Sequence, residues 1–250
     1  MGPVACLPAQ QKLVPRITTI THKLGDDHAR IKIFKYGSRK DIVFINLHAD
    51  ETTSIAEAQK LLQQRGGTLV KLENNNQRNI RFKLKGSLYT FDPNRIFSKQ
   101  GIAKTLAGFK NVNDLAVREV EKFASKILDL LPEETRCFIA LHNNTDGNLS
   151  INSFLAGNEY ARDAKKVYAN EKQDPDDFFL TTDSLLFEQL SAEKYNTILQ
   201  DNLNVQQDGS LSVYFGEKNI CYLNCETEHG KAKQYEEMIN AALRYAGSKK

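Results

Sequence analysis

The sequence has no apolar run that approaches the roughly 18 residues a membrane-spanning helix requires, so no membrane span is expected. It also lacks a concentrated basic stripe, because Lys and Arg are interleaved with Asp and Glu and the net charge is +3. Nucleic-acid-binding proteins usually carry such a stripe, often with aromatic residues between the basic ones. We therefore expect no nucleic-acid partner.

Cysteine is scarce: the chain has four, at Cys6, Cys137, Cys221 and Cys225. Cys137 lies in an apolar run, which predicts a buried free thiol. Cys221 and Cys225 are four residues apart in a strand-like segment, so they point to the same face. One such pair is a weak indication of a zinc site. The cysteine count does not decide the redox compartment.

The first residues, Met-Gly-Pro-Val, lack the basic and apolar regions of a signal peptide,. The same start is compatible with an expression scar that replaces a removed signal. The compartment stays open on these grounds, and an exported, periplasmic location is favoured over a cytoplasmic one.

The composition is that of a globular protein, with 40% apolar and 26% charged residues in a chain of 250. Wholesale disorder is therefore not expected. The chain shows no internal repeat, low-complexity tract or linker. We predict a flexible N-terminal segment over residues 1–16 and a single mixed α/β domain over residues 17–250.

Apolar runs and alternating patterns predict the strands. Their expected positions are residues 17–35 as one or two strands, then 42–47, 68–72, 80–84, 136–141, 211–215 and 219–225. Asp208-Gly209 predicts a hairpin turn before the strand over residues 211–215. Residues 89–95 are expected to form a loop, because Pro93 disfavours helix at the preceding residue. The acidic residues 174–177 are expected to form a solvated loop.

Residues at helical spacing predict four helices. The first has an N-terminal capping box formed by Ser54 and Glu57 and ends at Gly66-Gly67. The others cover residues 113–131, residues 183–199 and an amphipathic segment at the end of the chain, from Ala232 to Leu243.

Three predicted strands end in residues that bind metals or transfer protons. His48, His142 and Glu226 each follow directly on a strand-like segment. Ligands of open α/β sheets bind beyond the carboxyl ends of the strands. Because Glu51 lies three residues after His48, two histidines and one glutamate match the three protein ligands of an open catalytic zinc site.

Each of these residues alone has a structural explanation. A His-x-x-Glu pair arises often by chance, and a histidine at a strand end is commonly a hydrogen-bonded structural residue. An Asn-Arg pair in a loop can likewise cap a helix or anchor the loop. Their combination in one chain favours a metal site.

The ordered set of motifs resembles the zinc carboxypeptidase superfamily. This superfamily includes carboxypeptidase A-like enzymes and deacylases of the aspartoacylase and succinylglutamate desuccinylase types. The resemblance rests on His48-Ala-Asp-Glu51, Asn94-Arg95, His142 and a glutamate on a late strand, and it covers residues 42–230. It implies an α/β fold with a mixed, largely parallel twisted sheet and helices on both faces, and a catalytic domain over residues 17–250.

The resemblance implies that His48, Glu51 and His142 ligate one Zn²⁺ ion. It implies that Asn94 and Arg95 bind a carboxylate of the substrate, since a guanidinium group pairs with a carboxylate through two hydrogen bonds.

Two further roles follow from the resemblance. A second arginine stabilises the oxyanion in this family, and it is Arg78 or Arg81 here, with Arg78 favoured by its spacing. A glutamate acts as general base on water. Glu226 is favoured over Glu228 because it directly ends the strand and is followed by Thr. His229 is either a supporting residue or an ordinary surface histidine.

The chain also departs from the family pattern. No tyrosine is identified as the one that carboxypeptidase A-like enzymes bring over the substrate; the candidates are Tyr160, Tyr195 and Tyr214. The segment 143–148 is rich in Asn, and the distance from Glu51 to His142 is short, as in the deacylases. These departures leave the substrate open.

The expected function is therefore that of a zinc-dependent metallohydrolase that cleaves an amide bond next to a free carboxylate. A metallocarboxypeptidase acting on peptides, including cell-wall peptides, is favoured. An N-acyl amino acid deacylase and a non-catalytic zinc-binding module are the alternatives. The expected partner is a small peptide or an N-acyl amino acid.

Overall fold

The computed structural model describes residues 11–246. The strands are β1 (Pro15–Leu24), β2 (Asp27–Tyr36), β3 (Val43–Asn46), β4 (Gly67–Glu73), β5 (Ile80–Leu84), β6 (Ser87–Phe91), β7 (Cys137–Asn144), β8 (Ala164–Tyr168), β9 (Phe178–Thr181), β10 (Thr197–Gln200) and β11 (Cys221–Glu228). The helices are α1 (Thr52–Arg65), α2 (Lys99–Gly108), α3 (Asp114–Asp129), α4 (Ser184–Ala192), α5 (Leu211–Glu217) and α6 (Ala232–Ala246). Most of the N-terminal segment predicted to be flexible lies outside the described residues, and β1 begins just before its predicted end.

One mixed sheet of nine strands organises the chain, in the order β1-β2-β4-β3-β7-β11-β9-β10-β8. The central strands β4, β3, β7 and β11 run parallel, and antiparallel strands join the sheet on either side. Because β3, β7 and β11 are parallel and adjacent, their carboxyl ends meet at one edge of the sheet. The predicted mixed sheet with a parallel centre is confirmed.

Helices cover both faces of the sheet, as predicted. Val43 and Ile45 of β3 point to one face, where they share a core with α2, α3 and α5. Phe44 points to the other face and shares a core with α1, α4 and α6. This alternation follows from the two-residue period of a strand, and it explains why β3 is apolar throughout. In residues 11–246, no helix is both long and apolar enough to cross a membrane.

The predicted capping box of the first helix is wrong. Helix α1 begins at Thr52, and Ser54 lies inside its first turn, where its hydroxyl donates to the carbonyl of Glu51. The backbone N–H of Ser54 is satisfied instead by Oδ1 of Asn143 in β7, at 3.1 Å. A side chain from a neighbouring strand therefore replaces the local cap, which leaves the Glu51 side chain free to turn toward the histidines.

Two other local predictions are wrong in part. The helix predicted over residues 183–199 ends at Ala192, and residues 197–199 belong to the buried strand β10. Lys194 adopts a positive φ of 71°, which reverses the chain between the two elements. The predicted loop over residues 89–95 contains the end of β6, which pairs with β5, followed by a 3-10 turn at Pro93–Arg95.

The hairpin predicted at Asp208-Gly209 is also wrong. Residues 211–217 form helix α5, with Ser210 at its N-terminal cap. Leu211, Val213 and Phe215 alternate in the sequence as they would in a strand, but all three are buried in a short helix that packs against β11. Burial of this helix between the sheet and the preceding loop therefore outweighs the alternating pattern, which predicted a strand.

The predicted free thiol of Cys137 is wrong, because Cys137 forms a disulfide with Cys221. The two cysteines are direct partners in the parallel register of β7 and β11. Cys225 is buried and free.

The acidic loop over residues 174–177 is not uniformly solvated either, since Asp176 and Asp177 are buried.

Candidate metal centre

His48, Glu51 and His142 meet at the carboxyl edge of the parallel strands. His48 follows β3, Glu51 caps the N-terminus of α1, and His142 lies near the end of β7. All three are buried, with 1%, 1% and 4% of their surface exposed. The parallel pairing of β3 with β7 brings together residues that are 94 positions apart in the sequence.

Three atoms of these side chains form a compact triangle. Nδ1 of His48 lies 2.9 Å from Oε1 of Glu51 and 3.3 Å from Nδ1 of His142. Nδ1 of His142 lies 3.3 Å from Oε1 of Glu51. Zinc ligands about 2.0–2.1 Å from the metal in a tetrahedral site are separated by roughly 3.3 Å. The two nitrogens and one oxygen therefore fit the protein side of a zinc site, and these three residues can hold a metal ion.

The charges in the group reinforce one another. Burial opposes ionisation of Glu51, but His142 and His48 outweigh it and hold the pKa of its carboxyl well below the usual value. Burial would lower the pKa of His48, yet the carboxylates of Glu51 and Asp92 raise it to about 9. A ring that attracts a proton this strongly is a good electron-pair donor to a cation that takes the proton's place.

Two residues that the sequence did not single out orient these side chains. Oδ1 of Asp92 lies 2.8 Å from Nε2 of His48, on the side of the ring opposite the triangle. The amide of Asn46 donates to the other carboxylate oxygen of Glu51 at 3.3 Å and to the carbonyl of Leu141 at 3.2 Å. Asp92 thereby fixes the ring of His48 so that Nδ1 faces the triangle.

A cavity of about 400 Å³ opens beside the triangle. Its wall contains the two histidines and the residues favoured by the sequence for the catalytic and substrate-binding roles: Arg78, Asn94, Arg95 and Glu226. Polar residues dominate the remainder, joined by a few apolar side chains such as Phe154 and Leu180. The structure thus brings the sequence-derived set to one site.

Glu226 stands directly beside His142, because the two are partners in the register of β11 and β7. The side-chain amide of Asn224 donates to its Oε1 at 3.0 Å. Burial raises the pKa of the Glu226 carboxyl, an effect that His142 and Asn224 reduce without cancelling. Glu228 lies elsewhere: its carboxylate pairs with Nζ of Lys231 at 2.7 Å, near Asp176.

The two candidate arginines also occupy different places. Arg78 lines the cavity and donates to Oε1 of Glu51 at 3.1 Å, with its other nitrogen 3.8 Å from Asp92. Arg81 is exposed on β5. Of the three tyrosines considered, Tyr160 lines the cavity, whereas Tyr195 and Tyr214 pack at the margins of the two cores.

Several cavity residues were not predicted from the sequence. Tyr222 and Asn224 lie four and two positions before Glu226 in β11. The two-residue period of a strand puts them on the same face as Glu226, so the spacing could have identified them. Asp92 precedes Pro93-Asn94-Arg95 by one position and could have been found through that motif.

Comparisons with known proteins address the fold. Neither protein-family models nor curated proteins gave a match. Among solved structures, an aspartoacylase family protein from Mesorhizobium loti matches with a TM-score of 0.51 and 14% identity, over 96% of this chain and 69% of that chain. Murein-tripeptide amidase MpaA from Escherichia coli O157 matches with a TM-score of 0.46 and 13% identity, over 100% and 99%. A succinylglutamate desuccinylase/aspartoacylase from Rhodobacter sphaeroides gives 0.45 and 11%, over 98% and 69%.

Proposed function

We propose that this chain, which has the zinc carboxypeptidase-like fold its motifs predicted, is a zinc-dependent hydrolase that cleaves an amide bond next to a free carboxylate. We favour a metallocarboxypeptidase acting on peptides, including cell-wall peptides. One observation carries the proposal. A buried ligand triangle, a buried carboxylate at Glu226 and the cationic groups of Arg78 and Arg95 all border one cavity.

His48, Glu51 and His142 would hold the zinc ion, with Asp92 orienting His48. A zinc ion held there would supply Lewis-acid polarisation of water and of the amide carbonyl. The three side chains of the triangle are almost completely buried beside the cavity, so they are largely shielded from solvent. Electrostatic interactions are stronger in such an environment.

Glu226 would act as the proton carrier. Its carboxylate accepts a proton from the attacking water, and the resulting acid gives that proton to the amine that leaves. The raised pKa of Glu226 supports the first step, because a carboxylate with a pKa closer to neutrality is a stronger base,. The amine that leaves is more basic still, so it takes the proton from the resulting acid. Arg78 would donate hydrogen bonds to the oxyanion. Asn94 and Arg95 would hold the free carboxylate.

An N-acyl amino acid deacylase is the second candidate function. The cavity of about 400 Å³ lies near the small end of the usual range for ligand sites of roughly 300–1,000 Å³,. A short acyl group fits such a volume as well as the end of a peptide does. Turnover of peptides against N-acyl amino acids separates these two candidates.

Metal analysis of the purified protein, combined with hydrolysis assays on both substrate panels, tests the proposal. We expect close to one zinc per chain, lost in His48→Ala. Glu226→Gln should keep the zinc and lose turnover, and the matched variant Glu228→Gln should keep both. Full zinc content in His48→Ala would refute the assigned ligands. Zinc without hydrolysis of any panel member would indicate the non-catalytic binding module.

We also propose an exported location, supported by the disulfide between Cys137 and Cys221, because such bonds persist in oxidising compartments,. Trapping of thiols in source cells, followed by mass spectrometry, tests this proposal. The expected product is a disulfide-linked peptide pair. Alkylated Cys137 and Cys221 would contradict it.

A further inference from the structure

The segment from Asp208 to Leu211 is attached to the substrate-binding pair Asn94 and Arg95 by several contacts, and the inference drawn from it rests on the proposed function. Leu211 N–H donates to Oδ1 of Asn94 at 3.0 Å. Phe97 N–H donates to the carbonyl of Gly209 at 2.9 Å. The two segments are more than 110 residues apart in the sequence, so these contacts are a product of the fold.

The guanidinium group of Arg95 is held from two sides. One terminal nitrogen donates to the carbonyl of Asn94 at 2.8 Å, and Nε lies 3.5 Å from Oδ2 of Asp208. Asp208 therefore faces the Nε side of the fork. The remaining N–H groups of the two terminal nitrogens are those that can bind a carboxylate bidentately.

Two glycines bring these segments into close approach. A Cβ added to Gly209 would lie 2.6 Å from the carbonyl oxygen of Arg95 and 2.7 Å from Cα of Gly101. A Cβ added to Gly101 would lie 2.4 Å from Cα of Gly209. Gly209 also has a φ of 78°, in the left-handed region that favours glycine,. Any larger residue here must displace the backbone that carries Arg95.

Asn94 is oriented by the same junction. Since its Oδ1 accepts from Leu211, its amide N–H₂ group is the part left to face an anion,. The cavity wall includes both Asn94 and Arg95. Their donors therefore converge on the cavity only while the segment from Asp208 to Leu211 stays in place.

We propose that Asp208 is a positioning residue that orients Arg95 toward a substrate carboxylate, and that the contact between Gly101 and Gly209 sets the position of Arg95 and Asn94. Asp208 selects for substrates with a free carboxylate without touching the scissile bond. Disturbing it changes substrate binding more than it changes the chemical step.

The first test is Asp208→Asn, which keeps the shape of the side chain and removes its charge. We expect KM for a hydrolysed substrate with a free carboxylate to rise about threefold, the scale of a partly exposed ion pair, while kcat changes less than KM. The carboxamide analogue of the same substrate should show no change in KM. Asp129→Asn, an exposed change of equal charge in α3, is the control. An unchanged or lowered KM for the carboxylate substrate in Asp208→Asn overturns the proposal.

The second test is Gly209→Ala, compared with Gly86→Ala. Both glycines have positive φ, but a Cβ on Gly86 would meet nothing within 4 Å. We expect Gly209→Ala to raise KM about tenfold or more with zinc content unchanged, and Gly86→Ala to leave KM as it is. Equal KM values in the two variants would refute the role of the glycine contact.

A spectroscopic test does not depend on turnover, so it separates failure of this inference from failure of the proposed function. In ¹⁵N-arginine-labelled protein, exchange of the Nε–H of Arg95 with water reports its pairing. Arg95→Lys assigns the signal. We expect exchange to be severalfold faster in Asp208→Asn than in the unmodified protein and unchanged in Asp129→Asn. Equal rates in all three proteins would overturn the positioning role whatever the substrate is.

Discussion

At the scale of single residues, one oxygen of Asp92 connects the candidate metal ligand His48 to the turn that carries Asn94 and Arg95. Its Oδ1 faces Nε2 of His48 at 2.8 Å and also accepts from the backbone N–H of Asn94 at 2.8 Å. Burial would raise the pKa of the Asp92 carboxyl, but His48 and two arginines outweigh it and hold it well below its usual value. Asp92 is therefore a carboxylate that stays charged and orients the ring.

The first prediction is that Asp92→Asn weakens zinc binding about 10- to 100-fold, the usual effect of removing a carboxylate that supports a histidine ligand. The amide keeps a hydrogen bond to the ring but removes the charge that increases its basicity. Competition with a chelator of known affinity measures the change. Asp41→Asn, which breaks a surface pair with Arg39, is the control. Equal zinc affinity in the unmodified protein, Asp92→Asn and Asp41→Asn would show that Asp92 does not support His48.

The second prediction concerns Asn224. Its amide donates to Glu226, whereas its Oδ1 is buried and finds no hydrogen-bond partner among residues 11–246. If the Asn224 amide were rotated by 180°, its Oδ1 would face the Glu226 carboxylate and repel it. The N–H₂ group of Asn224 must therefore face Glu226. Asn224→Leu should lower kcat about tenfold or more, the scale of a hydrogen bond to a charged group, and leave zinc content unchanged. A loss of zinc together with activity would point to a structural role instead.

Motif spacing identified the residues whose chemistry is visible in the sequence. His48, His142 and Glu226 stand at or next to strand ends, Glu51 follows His48 by three residues, and the parallel sheet brings them together as that reasoning requires. The supporting residues were not predicted. Asp92 contacts His48, and Asn46 contacts Leu141, only because the fold brings distant segments together. The neighbouring motif marks the position of Asp92 but does not show its partner.

At the scale of helices and strands, tertiary contacts override local signals at particular points. Ser54 and Glu57 have the spacing of a capping box, yet Glu57 pairs with Lys60 and Ser54 receives its partner from β7. The helix starts earlier than predicted, and Glu51 just before it contacts the two histidines. The sequence does not show this, because the competing partners come from another strand.

The third prediction tests the cap that β7 supplies to helix α1. Asn143→Ala removes the acceptor for the N–H of Ser54, and losing a cap costs about 0.5–2 kcal/mol in the free energy of unfolding,. Thermal or urea unfolding followed by circular dichroism measures this loss. Because Glu51 directly precedes the first turn of α1, we expect weaker zinc binding as well. Unchanged stability would mean that water replaces the cap.

The fourth prediction concerns the link between β7 and β11. The disulfide joins residues 84 positions apart, and removing a bond of this kind typically costs about 2–5 kcal/mol,. The double variant Cys137→Ala and Cys221→Ala should be less stable by an amount in this range. A reductant should destabilise the unmodified protein and leave the double variant unaffected. A similar response of both proteins to the reductant would assign the effect to another group.

At the scale of the whole molecule, two different electrostatic environments lie near each other at the carboxyl edge of the parallel strands. One contains paired charges and the other contains clustered carboxylates. At the candidate metal site, the cationic group of Arg78 lies close to the carboxylates of Glu51 and Asp92. Beyond β11, Asp146, Asp176 and Glu228 lie close together. Burial, followed by the charges of Asp174, Glu228 and Asp146, raises the pKa of Asp176. Asp174 is the opposite case, because its bond to Lys231 lowers its pKa.

These two directions predict opposite effects of pH on global stability. A group whose folded-state pKa is raised contributes stability below its unfolded pKa, near 3.9 for Asp, and loses it as pH rises through the folded value. Asp176 therefore destabilises the folded protein at pH 7. A group with a lowered pKa contributes stability above the unfolded pKa and loses it as pH falls through the folded value.

The fifth prediction is that Asp176→Asn raises the free energy of unfolding at pH 7 by on the order of 1 kcal/mol, a usual size for a single substitution. The asparagine oxygen keeps the bond from the N–H of Gly147, and the gain should shrink as the pH falls toward 4. Asp174→Asn, the matched control, should instead lose stability at pH 7, by less because Asp174 is 38% exposed. Urea unfolding followed by circular dichroism suits a chain without tryptophan. Destabilisation by both substitutions at pH 7 would show that the Asp176 carboxylate has a favourable partner, and that charge repulsion does not govern this edge of the sheet.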